Sequence, residues 1–393
     1  MTVADPPERR DPVGPLTADP ESLRRRRGVK WRRYPDALAA WVADMDLPPA
    51  PPILDAIRAV VDAGDLGYPD GDALGLPGLL VDRLDARFGW RPDTRLVLPL
   101  TDVMQGVLLA LTTLTEPGDG VVVQTPIYPP FHKAVARTGR RFDDHPLRVG
   151  ADGRAALDVD GLARVVDDRT RMLLVCHPHN PTGRAFDEDE LRALAELAVE
   201  RDLWVVSDEI HADLVLPGAR HVPFASLGPE VAERTLTLTS PTKAFNLAGT
   251  RIAFGIAGSP ALLERLRSVP GHLLGHPGTV GLVAAEAAWR HGGPWLDAVL
   301  ALVDDHRRRT AAALADVPGV VHHPPEATYL AWLDLRALDL PGGPWRYLLD
   351  HAGVALSDGA DFTRHGEGHV RLNLATSTDL LDEILGRIVS ALR

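Results

Sequence analysis

Lysine is nearly absent from this chain of 393 residues: Lys30, Lys133 and Lys243 are the only three, leaving 39 of the 42 basic residues as arginine. Cysteine occurs once, at Cys176 in the apolar run "MLLVC", which excludes an internal disulfide framework and fits a reducing cytoplasm. Aromatic residues make up only 5% of the chain. No stretch approaches the eighteen or so consecutive apolar residues that a membrane span requires. The opening "MTVADPPERRDPVGPL" has no apolar core, so no secretory leader is expected. Neither a G-x-G-x-x-G nor a G-x-x-x-x-G-K motif occurs, which removes the usual support for dinucleotide binding or nucleotide hydrolysis. A net charge of −12 argues against nucleic acid or an anionic membrane surface as partner, despite the local basic run "RRRRGVKWRR" at 24–33.

What is present is an ordinary globular composition, 45% hydrophobic and 24% charged, in a chain long enough for two domains. Residues 1–30, rich in proline and charge, read as a mobile arm, and 31–50 as a segment that joins a smaller domain. From residue 51 helical and strand patterns alternate. "PPILDAIRAVVDAG" and "VMQGVLLALTTLTEPGD" read as helices stopped by glycine or Pro-Gly. "GVVVQTP", "RMLLVCHP", "LWVVSDEI", "RTLTLTS" and "IAFGIAG" read as short buried strands. That alternation predicts an α/β domain over 51–285 with a mostly parallel central sheet sandwiched by helices. Residues 286–393 carry a long helix, two strand patterns and a closing helix, and read as a smaller α+β domain.

Ligands of a parallel α/β domain gather at the carboxyl ends of its strands. Tyr128, Asn180, Asp208 and Lys243 each follow such an end. Lys243 is the informative one in a chain that prefers arginine. A guanidinium stays protonated, whereas a buried ammonium can lose its proton and attack a carbonyl carbon. Lys30 in the charged arm and Lys133 at a polar helix start are positions where arginine would serve equally well. A surface loop lysine is the plain alternative for Lys243. A helix cap is that for Asp208, core packing that for Tyr128, and a satisfied structural imidazole that for His211.

The motifs "HNPTG" (179–183), "SDEIH" (207–211), "SPTKAFNLAG" (240–249) and "RLNLA" (371–375) resemble the class I/II aminotransferase superfamily of fold-type I pyridoxal-phosphate enzymes. With "WVADMD" (41–46), "GY" (67–68), "TPIYPPF" (125–131) and "TYLAWLDLR" (328–336), the chain from about residue 30 onward is most similar to the superfamily's cystathionine β-lyase branch, the MalY/PatB type of C–S lyase. The resemblance implies pyridoxal 5′-phosphate held as a Schiff base on Lys243, which would also shuttle the substrate's α-proton. Asp208 would pair with the pyridine nitrogen, Asn180 with the ring hydroxyl beside His211, and Tyr128 would stack on the ring. Ser240, Thr242, Arg251 and the backbone N–H groups around Asp102 and Val103 would hold the phosphate. Tyr68 would reach the phosphate of a second subunit, implying a homodimer with shared active sites. Arg371 would clamp the α-carboxylate of a small amino-acid substrate. Trp31, Tyr34, Met45 and Tyr329 would line its pocket.

The chain departs from that pattern in three places. "TDVMQG" (101–106) replaces a small, Gly-rich phosphate loop, Arg251 follows the broad aminotransferase pattern, and "DFTRHGEGH" lacks a glycine after its phenylalanine. A carboxylate at Asp102 is compatible with a phosphate only if its side chain turns away or caps the helix. The implied reaction is β-elimination from an S-substituted L-cysteine, with Lys243 or Tyr68 protonating the leaving sulfur. Transamination, a decarboxylating or oxidative reaction on an S-cysteinyl intermediate, and a non-enzymatic regulator on the same fold are the alternatives.

Overall fold

The computed structural model describes residues 11–70 and 74–393. Seven strands form the central sheet: β1 (Val97–Leu100), β2 (Gly120–Thr125), β3 (Arg141–Pro146), β4 (Thr170–Cys176), β5 (Trp204–Asp208), β6 (Thr235–Thr239) and β7 (Ala253–Ala257). Their order across the sheet is β1-β7-β6-β5-β4-β2-β3. All pairings from β6 to β3 are parallel, while β7 runs antiparallel to both neighbours. Five of the strands coincide with apolar runs legible in the sequence. The two others escape that signal for physical reasons. β3 is "RFDDHP", an edge strand half open to solvent whose charges hide it. β1 is "VLPL", which tolerates Pro99 because it too lies on the sheet's edge, where one row of N–H groups needs no partner.

Helices cover both faces of the sheet. Val103–Leu114 packs its apolar side, with Val107, Ala110 and Leu111 fully buried, against Leu236 and Leu238 of β6. Gly106 is required there, since a Cβ would stand 2.4 Å from a Leu238 methyl. Glu188–Glu200 buries Leu191, Leu194 and Ala198 on the other face behind a capping box made by Asp187 and Glu190.

A second, antiparallel sheet is built from β8 (Val321–His322), β9 (Leu330–Asp334), β10 (Ser357–Asp358) and β11 (His369–Asn373), in the order β8-β9-β11-β10. The closing helix Thr378–Leu392 covers it through Leu381, Ile384 and Ile388. Leu38–Ala39 pairs in parallel with Val354–Ala355 beside it. The expected division at 285/286 falls inside the helix Thr279–His291, which packs on the helix Pro51–Asp62. That helix ends before Gly292, and the long helix Gly293–Leu314 follows. Among the described residues no helix is long and apolar enough to cross a membrane.

The arm expected to be mobile as far as residue 30 is packed well before that point. Residues 1–10 lie outside the described residues, but Leu23 is 1% exposed in the core of the second sheet. Lys30 is likewise no surface residue. Its ammonium donates to the Asp44 carbonyl at 2.9 Å and pairs with Asp46 at 2.9 Å, with both side chains at 5% exposure or less. Trp31, expected in the substrate pocket, instead donates its indole N–H to the other Asp46 oxygen at 2.7 Å.

Asp46→Asn leaves the Lys30 charge buried and unpaired, so a loss of roughly 3–5 kcal/mol is expected in denaturant unfolding at neutral pH. A loss below about 1 kcal/mol would show that solvent reaches the pair.

Candidate active site

A cavity of about 300 Å³ opens at the carboxyl ends of β2, β4, β5 and β6. It brings together eleven of the sixteen residues singled out in the sequence: Asp102, Val103, Tyr128, Asn180, Asp208, His211, Ser240, Thr242, Lys243, Arg251 and Arg371. Met45 and Tyr329 stand behind the wall rather than on it. Met45 is 3% exposed in an apolar cluster, and Tyr329 is 1% exposed with its hydroxyl donating to the Ala43 carbonyl at 3.1 Å. Tyr34 lies outside as well, edge-on to Trp41 at 5.9 Å. Tyr68 is fully exposed and borders a different, open depression of about 980 Å³. That depression is larger, but its walls are mostly glycine, proline and threonine and carry no converging set of charged groups.

Asp208 is the last residue of β5, and Cys176 faces it in register on β4. Its carboxylate is 5% exposed and accepts one hydrogen bond, from the Ile210 N–H at 3.1 Å. Burial pushes its pKa up to about 7, against the smaller opposing pull of that N–H, with Glu209 adding to the rise and Lys243 opposing it. The neighbouring Glu209 is anchored by the Ser207 hydroxyl at 2.8 Å, the Phe224 N–H at 2.9 Å and His221 Nε2 at 2.9 Å, which fixes the strand end.

Lys243 sits on the one-turn helix Pro241–Ala244, capped by Ser240 Oγ on the Thr242 N–H at 3.0 Å. Its amine donates to the Ala43 carbonyl at 2.6 Å. Burial brings its pKa down to about 8, with Asp44 and Asp208 opposing the fall and Arg371 adding to it. His211 is 2% exposed, its Nδ1 has no partner, and burial holds its pKa down at about 3, so the ring is neutral near pH 7.

Arg371, on β11, is 4% exposed. It donates to Asn180 Oδ1 at 2.7 Å, the Trp41 carbonyl at 2.9 Å and Ser357 Oγ at 3.1 Å, and lies 4.8 Å over the Phe362 ring. Its Nε remains without a partner. Burial lowers its pKa only to about 10, leaving it cationic at neutral pH. Tyr128 stands at the start of the helix Pro129–Arg137, edge-on to Phe131 at 5.9 Å.

Asp102 resolves its own electrostatic difficulty. Oδ1 caps the helix Val103–Leu114 by accepting the Gln105 N–H at 2.7 Å, and Oδ2 pairs with Arg251. Arg251 holds a left-handed backbone at φ +56°. Ser240 Oγ contacts Thr242 Oγ1 at 2.7 Å and donates to the Ile252 carbonyl at 2.6 Å, so these hydroxyls adjoin Arg251 in the chain.

Sequence reasoning missed the strap of residues 41–47. Its Trp41 and Ala43 carbonyls hold Arg371 and Lys243, Asn373 Nδ2 donates to the Val42 and Asp44 carbonyls at 2.7 Å, and Asn246 Nδ2 donates to Met45 and Leu47. "WVADMD" was legible as a motif, but a backbone carbonyl has no residue-type signature. Phe362 and Ser357 carried no signal of their own.

A pocket that joins a neutralisable amine, a buried carboxylate with a single donor, an orphaned imidazole nitrogen and an unsaturated arginine has the makings of a carbonyl-handling site for an amino acid. The family profile for aminotransferase class I and II matches residues 93–388. A putative cystathionine β-lyase of Mycobacterium leprae is 40% identical over 97% of this chain and 98% of its own length. The cystathionine β-lyase PatB of Bacillus subtilis is 35% identical, covering 93% of this chain and 96% of its own. Among solved structures, a putative PLP-dependent β-cystathionase from Corynebacterium diphtheriae superimposes with a TM-score of 0.89 at 32% identity, over 96% of this chain and 98% of that one. The chain belongs to the class I and II aminotransferase family.

In the protein freed of small molecules, reductive methylation at Lys243 should follow its neutral amine: roughly a tenth available at pH 7, half near pH 8, and a plateau above. Peptide mass spectrometry reads the profile, with exposed Lys133 as reference. A Lys243 rate still climbing steeply at pH 10 contradicts the burial effect.

Proposed function

We propose that this chain is a carbon–sulfur β-lyase that uses pyridoxal 5′-phosphate to cleave an S-substituted L-cysteine into a thiol, pyruvate and ammonia. The observation that carries the proposal is the pairing of Lys243, its amine brought to a pKa of about 8, with Asp208 at the ends of adjacent strands in one cavity. Similarity to lyases over nearly the whole chain supports the same activity. The residues fit the cofactor: among the described residues His211 Nδ1 and Arg371 Nε are buried polar atoms without partners, and Lys243 only partly offsets the burial that raises the pKa of Asp208. Bound pyridoxal phosphate supplies an electron sink conjugated to the substrate's α-carbon.

The side chains divide the remaining work. The Lys243 amine would hold the cofactor's aldehyde and, as a free amine, is the base placed to take the substrate's α-proton. The Asp208 carboxylate would hold a proton on the pyridine nitrogen, a cation that would offset the burial of the aspartate. Asn180 and neutral His211 would serve the ring hydroxyl, and Tyr128 the ring. Ser240, Thr242, Arg251 and the N–H groups at the start of the helix Val103–Leu114 serve the phosphate. Arg371, pinned by Asn180, Ser357 and the Trp41 carbonyl, offers its edge to the substrate carboxylate. The α-C–H bond breaks first; its electrons then expel the β-thiolate, which leaves as thiol after taking a proton. The freed 2-aminoacrylate adds water to give pyruvate and ammonia.

The working form is a homodimer, with Tyr68 of one subunit reaching the other's phosphate. Tyr68 and the nearby Leu66 stand exposed on the chain, at 106% and 63%, and such apolar groups favour cover by a second copy. The lone buried cysteine is in keeping with a cytoplasmic location.

Incubation of the cofactor-loaded protein with cystathionine and other S-substituted cysteines should release thiol and pyruvate in equal amounts without a keto-acid acceptor. Product only in the presence of an acceptor identifies a transaminase instead. Lys243→Ala should abolish both turnover and the cofactor's long-wavelength absorbance, and a variant that keeps both removes the assignment. Arg371→Lys should raise KM by at least about tenfold with a smaller change in kcat, because a point charge replaces a two-pronged donor.

A further inference from the structure

The phosphate end of the cavity already contains an anion of its own. Asp102 lines that end, and its two carboxylate oxygens do separate jobs. Oδ1 accepts the Gln105 N–H at 2.7 Å and so caps the helix Val103–Leu114, while Oδ2 pairs with the Arg251 guanidinium. The loop beneath is tied down independently: Gln105 Oε1 accepts from the Thr101 N–H at 2.8 Å and the Thr101 hydroxyl at 3.0 Å. Gln105 Nε2 also donates to the Leu273 carbonyl at 3.2 Å. Asp102, Arg251, Ser240 and Thr242 are walls of the same cavity. Arg251 is the exposed member of that set, with a side chain 66% exposed on a backbone at φ +56°.

We propose that Asp102 is an internal stand-in for the cofactor's phosphate, so that pyridoxal phosphate binds by exchange: Arg251 gives up the carboxylate and takes the phosphate. This rests on the assignment of pyridoxal phosphate as the cofactor. The helix cap survives the exchange because it uses the other oxygen. A phosphate dianion entering beside Asp102 meets a like charge as well as a guanidinium that is already neutralised, so binding is weaker than the donor set alone would give. The ion pair is partly exposed and correspondingly weak, which makes it displaceable. The carboxylate thereby holds the arginine at the cavity wall until a phosphate displaces it.

The charge can be removed without the cap, since asparagine and serine both cap helices well. Apoprotein of the wild type, Asp102→Asn and Asp102→Ser is titrated with pyridoxal phosphate, with pyridoxal lacking the phosphate, and with inorganic phosphate. Binding is followed by tryptophan fluorescence and cofactor absorbance. Both variants should bind pyridoxal phosphate and inorganic phosphate about fivefold or more tightly than wild type, as loss of a partly exposed competing charge predicts, with pyridoxal unchanged. Weaker or equal phosphate binding in both variants overturns the exchange and makes Asp102 an orienting group for Arg251. An equal gain for pyridoxal overturns it too, since the effect would then not concern the phosphate. If wild-type and variant apoproteins fail to take up pyridoxal phosphate while the variants gain on inorganic phosphate, the cofactor assignment falls and the exchange with that cofactor falls with it, leaving only competition between Asp102 and free phosphate for Arg251.

Discussion

The removal of water from two oppositely charged groups at the ends of neighbouring strands, Asp208 on β5 and Lys243 after β6, is the constraint on which the rest of the site depends. Burial alone pushes the aspartate up and the lysine down, so each is drawn toward its neutral form in the empty cavity. Their mutual attraction opposes both shifts without cancelling them. A parallel sheet produces this arrangement almost automatically: its strands end on one edge, its faces are covered by helices, and the crevice left over is deep and dry. The chemistry proposed for the chain uses both consequences, a lysine able to exist as a free amine and a carboxylate in want of a cation.

Beside that pair, His211 and Arg371 each keep a single charge state near neutrality. His211 is held uncharged by its burial, and Arg371 stays cationic because its intrinsic basicity leaves ample margin. The Arg371 guanidinium is held by a side-chain amide, a hydroxyl and a backbone carbonyl, none of which titrates near neutrality. Substrate binding and proton movement are thereby assigned to different groups.

Much of the large sheet and most of the cavity wall could be read from the sequence, because buried parallel strands write themselves as continuous apolar runs and the polar residues after them stand out. The same rule explains what was hidden. β3 carries charges because its edge faces water, and β1 contains Pro99 because an edge spares one row of donors. Lys30 was misjudged because its arginine-rich surroundings read as solvent-facing, while the residue itself turns inward to Asp46. Met45 and Tyr329 were placed on the cavity wall because their motif touches it, yet the contact is made by the Ala43 carbonyl beside them. Main-chain acceptors are invisible to any scan for residue types.

The strap of residues 41–47 has a consequence for how the molecule is made. It is synthesised early, but the groups that dock its first residues come last: Arg371 lies 330 residues after Trp41, and Asn373 lies 331 after Val42. On the ribosome Asn246 reaches the Met45 and Leu47 end of the strap first, while the partners of the Trp41 and Val42 carbonyls arrive only with β11. The strap therefore closes on the site from its two ends at two different stages of synthesis, and its last contacts form only in a nearly complete chain.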